Sequence, residues 1–199
     1  MTCMIDLPLW GSQRYSSISY IPLDPHEVIS DKGCIMSRLS DAGLDPRGVT
    51  TAFTFDQDDK IVLSLSQAGP SDMRWCKLAL VHPDHLPRDL QPLLEEARKS
   101  WGSRSAADMI SPFLRALMQR FFDELKEKGL APNPCDFHCV FTFPASWKPE
   151  DCNRMRMAVD KAGLPSLAET STFSFDYLSE QEAAALAVFT ASNEGSFAV

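Results

Sequence analysis

Apolar positions recur in helical and strand rhythms along the second half of the chain. Ile110, Leu114, Leu117, Phe121 and Leu125 form one stripe of a long helix, with Gln119, Asp123, Glu124 and Lys126 off it. Pro112 predicts either a start at Ser111 or a kink, and Gly129 ends the helix. Phe137-His138-Cys139-Val140-Phe141-Thr142-Phe143 then has the apolar character of a buried central strand, stopped by Pro144. Pro149 suits a first helical position, and Glu150 and Asp151 suit the positive end of a helix dipole. Cys152, Met155, Val159 and Ala162 supply that helix's stripe, and Gly163 its stop. Phe173-Ser174-Phe175-Asp176-Tyr177-Leu178 alternates as a strand. Ser179-Glu180-Gln181-Glu182 spells a capping box for a last, alanine-rich helix. Helices and strands in alternation imply an α/β layer.

The first half is rich in turns. Residues 16–21 suit a strand. Ile35, Met36 and Leu39 suit a short helix ended by Gly43. Residues 49–55 and 60–65, separated by Asp56-Gln57-Asp58-Asp59, predict a β-hairpin. Residues 74–81 are apolar without a clear period. Leu90, Leu93, Leu94, Ala97 and Trp101 recur at helical spacing, with Asp89 as N-cap and Gly102 beyond the end. Three prolines between residues 83 and 92 mark a connection. The chain divides into a smaller α+β subdomain, 1–100, and an α/β part, 101–199.

The chain has 199 residues, with 44% hydrophobic and 23% charged, enough for a packed core and unlike a disordered segment. A formal net charge of -8 argues against nucleic acid and acidic membranes as partners. No apolar run approaches a membrane span, and Met1-Thr2-Cys3-Met4-Ile5-Asp6 lacks the pattern of a secretory signal, so the cytoplasm is expected. The six cysteines are then expected as free thiols. Cys135-Asp136-Phe137-His138-Cys139 has no second pair to complete a zinc site, and no metal is expected there. His82-Pro83-Asp84-His85 is a polar loop with weak metal potential, and reads as structural or solvated. No Gly-x-Ser-x-Gly elbow accompanies the histidines.

Three segments resemble the ATPase domain of the actin and 70-kDa heat-shock chaperone superfamily. Val140-Phe141-Thr142-Phe143-Pro144-Ala145 is similar to its strand ending in Val-Pro-Ala. The helix from Pro149, closed by Ala162-Gly163-Leu164, is similar to the one that follows. Leu178-Ser179-Glu180-Gln181-Glu182-Ala183-Ala184-Ala185-Leu186 resembles its Asn-Glu-Pro-Thr-Ala-Ala-Ala-Leu segment, in the form of divergent chaperone-like ATPases. Residues 106–128 resemble the preceding helix, and residues 72–80 a Trp-Phe-Lys-Leu-Leu-Leu segment.

The resemblance implies a partial ribonuclease-H-like lobe beside a nucleotide cleft, with ATP and magnesium as cofactors. It implies that Glu180 helps arrange magnesium and the attacking water, that Lys77 lies near the γ-phosphate, and that Pro144 couples nucleotide state to lobe movement. Each has a plainer reading: a carboxylate on a helix dipole, a solvated or snorkelling lysine, and a strand stop. The phosphate turns decide between them. Glycine lets backbone amides close on phosphate oxygens. The first turn of the family reads Gly-Ile-Asp-Phe-Gly-Thr-Thr, whereas here Ile5-Asp6-Leu7-Pro8-Leu9-Trp10 lacks the glycine, and Pro8 lacks an amide donor. The second turn, Asp-x-Gly-Gly-Gly-Thr, is not met before Val199. The expectation is therefore a truncated ATPase-domain protein without independent ATP hydrolysis, or else a noncatalytic interaction module. Either is expected to associate with itself or with a protein partner.

Overall fold

The computed structural model describes residues 2–6, 15–21, 37–38, 49–50, 53–55, 57, 61–63, 76–127, 135–167 and 170–194. The short helix expected around Ile35 to Leu39, the glycine at 43 and the turn at 7–14 lie largely or wholly outside them. Ser37–Arg38, inside that expected helix, is instead a two-residue strand.

The chain is mixed α/β. Its strands are β1 (Thr2–Asp6), β2 (Tyr15–Ile21), β3 (Ser37–Arg38), β4 (Val49–Thr50), β5 (Phe53–Phe55), β6 (Ile61–Leu63), β7 (Cys135–Phe143) and β8 (Thr170–Ser179). The helices are α1 (Gln91–Trp101), α2 (Ala106–Glu127), α3 (Pro149–Ala162) and α4 (Glu180–Glu194). A six-stranded sheet runs β3-β2-β1-β7-β8, with β4 also on β2. β1–β2 and β2–β3 are antiparallel, whereas β1–β7 and β7–β8 are parallel. The sheet thus takes strands from both 1–100 and 101–199. β5 and β6 form the expected hairpin in part, in the register Phe53↔Leu63, whereas residues 49–50, expected in its first strand, pair with β2.

β7 is paired on both sides, with β1 and with β8. Phe137, Cys139 and Phe141 point to one face and are buried. Their parallel partners Phe173, Phe175 and Tyr177 line the same face of β8. Phe137 stacks on Phe173 with ring centres 6.0 Å apart, and Phe141 on Tyr177 at 5.8 Å. α2 and α3 cover this face. Phe122 of α2 meets Phe137 edge-on at 4.9 Å, and the Arg156 guanidinium of α3 lies 5.1 Å from the Tyr177 ring centre. The hairpin packs on α2 through Phe53 and Phe113, 5.8 Å apart.

The start of α2 differs from expectation. Ser105 and Asp108 make a reciprocal cap: Asp108 N donates to Ser105 Oγ (3.2 Å), and Ser105 N to Asp108 Oδ2 (2.9 Å). The helix begins at Ala106 and runs through Pro112. Ser111, beside it, turns its hydroxyl onto Ala107 O at 2.6 Å. α1 is capped at Leu90, not Asp89, and no side chain makes the cap bond. Pro92 in its first turn costs nothing there, because that N–H has no helical partner. α3 starts at Pro149 and ends in left-handed Gly163 (φ 59°), as the sequence predicts. α4 has its capping box, with Ser179 N to Glu182 Oε2 at 2.9 Å and Glu182 N to Ser179 Oγ at 3.1 Å.

Candidate functional site

Parallel strands bring their C-terminal ends to one sheet edge, the customary place for a ligand in α/β folds. In β7 and β8 the last register pair is Phe143↔Ser179. Pro144 and Glu180 are the next residues of each strand, so they leave the sheet side by side. β1 is parallel to β7 and in register through Ile5↔Phe141, which brings Asp6 to the same edge. Pro144 is buried and its carbonyl accepts from Trp147 N at 3.0 Å, closing a turn before α3. Trp147 lies flat against Phe143, ring centres 6.1 Å apart. Glu180 is half-buried at the first turn of α4. Lys77 belongs to a 3-10 helix, Cys76–Leu80, which packs against α1, α2 and α3.

The 3-10 segment is tied to this edge through Asp151, which the sequence marks only as a first-turn carboxylate. Asp151 is fully buried. Oδ1 accepts from His82 N (2.8 Å) and is paired with Arg154. Oδ2 accepts from Lys148 N (3.1 Å) and lies 2.9 Å from His85 Nδ1. Arg154 Nε also donates to Leu80 O at 2.6 Å. Burial alone would raise the Asp151 pKa. The His82 amide, His85, the Lys148 amide and the Arg154 charge outweigh burial and hold it below its ordinary value. One carboxylate therefore caps α3 and pins residues 80–85 beside the turn after Pro144. A shallow apolar concavity lined by Val81, His85, Leu86, Ser146 and Trp147 lies in this junction. His82 and His85 lie more than 60 residues from Asp151 in sequence, which hid their part of the network from local pattern reading.

Asp6 and Glu180 are carboxylates, the ligand class magnesium takes. Pro144 has no N–H to offer. Among the described residues no group of three or more His, Cys, Asp or Glu is arranged to hold a metal ion. No family model and no curated protein matches this chain. Among the described residues no helix is long and apolar enough to cross a membrane.

Proposed function

We propose that the chain carries a ribonuclease-H-like lobe of a chaperone-type, actin-like ATPase that does not hydrolyse ATP on its own. The observation that carries this reading is the order and sense of the strands. Three antiparallel strands, β1 to β3, are followed by β7 and β8 running parallel to β1 in the order β3-β2-β1-β7-β8. This mixed antiparallel and parallel order supports the reading of a ribonuclease-H-like lobe. The placement of Asp6, Pro144 and Glu180 at one strand edge supports it further, since the resemblance assigns a nucleotide cleft to these segments. Loss of turnover follows from the first turn: phosphoryl transfer depends on positioning, and Leu7-Pro8-Leu9 offers no glycine and one fewer amide.

A second reading is a noncatalytic protein-interaction module that uses the lobe as a docking surface. Leu186 and Val188 on α4, with 57% and 65% exposure, are the apolar side chains such a surface would use. The net charge of -8 disfavours nucleic acid and acidic membranes as partners. Nuclear Overhauser contacts across β1–β7–β8, combined with a phosphate-release assay in magnesium and ATP, test the main reading. Parallel contacts Cys3–Cys139 and Cys139–Phe175 with no release are expected. Antiparallel or shifted contacts, or release abolished by Glu180→Ala, would overturn it.

A further inference from the structure

The helix α4 is fixed at its start and little covered afterwards. Ser179 and Glu182 secure its first turn by their reciprocal cap. An unbroken apolar run follows, from Ala183 to Phe189. Within it Ala184, Ala185, Leu186 and Val188 are all exposed. At about 3.6 residues per turn, these four positions spread over more than half of the helix circumference. A helix that is apolar on all sides is ordinarily buried. Helix α2 shows the contrast, with Phe113, Leu114, Leu117 and Phe121 in the core.

Charge narrows what can cover α4. Lys161 is the last cation of the sequence. From residue 162 onward there is no Lys, Arg or His, whereas Glu169, Asp176, Glu180, Glu182 and Glu194 are acidic. The apolar run of α4 therefore lies between carboxylates, with Glu180 and Glu182 before it and Glu194 after it. Two copies of the chain laid α4 on α4 would bring carboxylate to carboxylate in either direction, because both ends of the helix are acidic. Nucleic acid and acidic membranes are repelled for the same reason. A partner with an apolar stripe and cations at both ends meets no such repulsion. The small side chains of Ala184 and Ala185 let the axis of a second helix approach closely.

We propose that α4 is the docking site for an amphipathic helix of a partner protein, one whose apolar stripe is flanked by Lys and Arg. Leu186 and Val188 supply the apolar contact, and Glu180, Glu182 and Glu194 the charge that selects the partner. The inference rests on the docking-surface reading of the lobe and is independent of nucleotide binding.

The test is NMR titration of the isotope-labelled full chain with a synthetic amphipathic Leu/Lys helix, and with the same peptide carrying Glu at every Lys position. The expected result is saturable movement of the amides of residues 181–188 with the Leu/Lys peptide, weakened by added salt and about tenfold or more weaker with the Leu/Glu peptide. Val188→Asp, a change at an exposed position, should weaken the Leu/Lys peptide about tenfold. Equal binding of both peptides at α4 would overturn the choice of a cationic partner while leaving α4 a docking surface. Movement of the α4 amides on concentrating the chain alone would make a second copy the occupant and overturn the proposal. No movement at α4 in any of these titrations would overturn both the proposal and the docking-surface reading. The titrations use the native sequence, so they decide the matter even where a variant fails to fold.

Discussion

Phe143 and Ser179 are partners in the last register pair of two parallel strands, and the residues that follow them, Pro144 and Glu180, leave the sheet together. A turn leading to α3 and the first turn of α4 therefore stand side by side, although 36 positions separate them. A shift of β8 by one residue would separate the pair and turn Phe173, Phe175 and Tyr177 away from the core.

That register depends on the aromatic face of β7. Phe141 is fully buried, with Phe175 6.0 Å and Tyr177 5.8 Å from its ring centre. Phe141→Ala removes a large core side chain and is expected to cost about 3–5 kcal/mol of unfolding free energy. Urea denaturation followed by circular dichroism measures it. A loss under about 1 kcal/mol would place Phe141 outside the packed core.

The Asp151 junction makes a second demand. Asp151→Ala removes the acceptor for His82 N, His85, Lys148 N and Arg154 at once, leaving a partly buried guanidinium without its carboxylate. A loss of roughly 3 kcal/mol or more is expected. Hydrogen exchange of the His82 amide should speed up by more than that of β7. Unchanged protection at His82 would show that the bond does not form in solution.

Much of the α/β part was legible in the sequence, because its signals are local. Pro149 and Gly163 bracket α3, Ser179 and Glu182 cap α4, and the Phe137 to Phe143 run marks the central strand. Three local readings failed, the first being the short helix around Ile35 to Leu39, where Ser37–Arg38 is a strand. Ser105 and Asp108 cap α2 seven residues before Pro112, and a serine followed at the third position by an acidic residue could have announced it. Asp89 looked like the cap of α1, but the helix begins after Leu90. The pairing of β1 with β7 and the binding of His82 and His85 to Asp151 are long-range, so no window along the chain contains them. The edge that joins Asp6, Pro144 and Glu180 was legible only as three separate residues.

Asp108 links the cap of α2 to Lys161 of α3. Lys161 first, and Ser105 after it, hold the Asp108 carboxyl well below its ordinary value of 3.8. A folded pKa below the unfolded one contributes stability that is complete above about pH 4 and is lost as pH falls toward the depressed value. Asp108→Asn should therefore lower the melting temperature at pH 7 and flatten its fall below pH 4. An identical pH profile for both chains would exclude the linkage. The pair is partly exposed, so the effect at pH 7 should be small and should shrink in high salt.

Gly163 ends α3 at φ 59°, a conformation that favours glycine. A Cβ there would stand 3.4 Å from Arg115, whose guanidinium holds Ala162 O and Gly163 O at 3.0 Å each. Gly163→Ala is expected to cost about 1–2 kcal/mol. Thermal melting checks it, and a gain in stability would mean that the helix ends differently.

Isothermal titration of the folded chain with ATP and with ADP in magnesium, with Glu180→Ala as control, tests the functional proposal most directly. A lobe whose first turn lacks its glycine should show no micromolar binding, and the two chains should give the same flat titration. Micromolar binding lost in Glu180→Ala would contradict this, and would mean that a working nucleotide cleft persists at the edge shared by Asp6, Pro144 and Glu180.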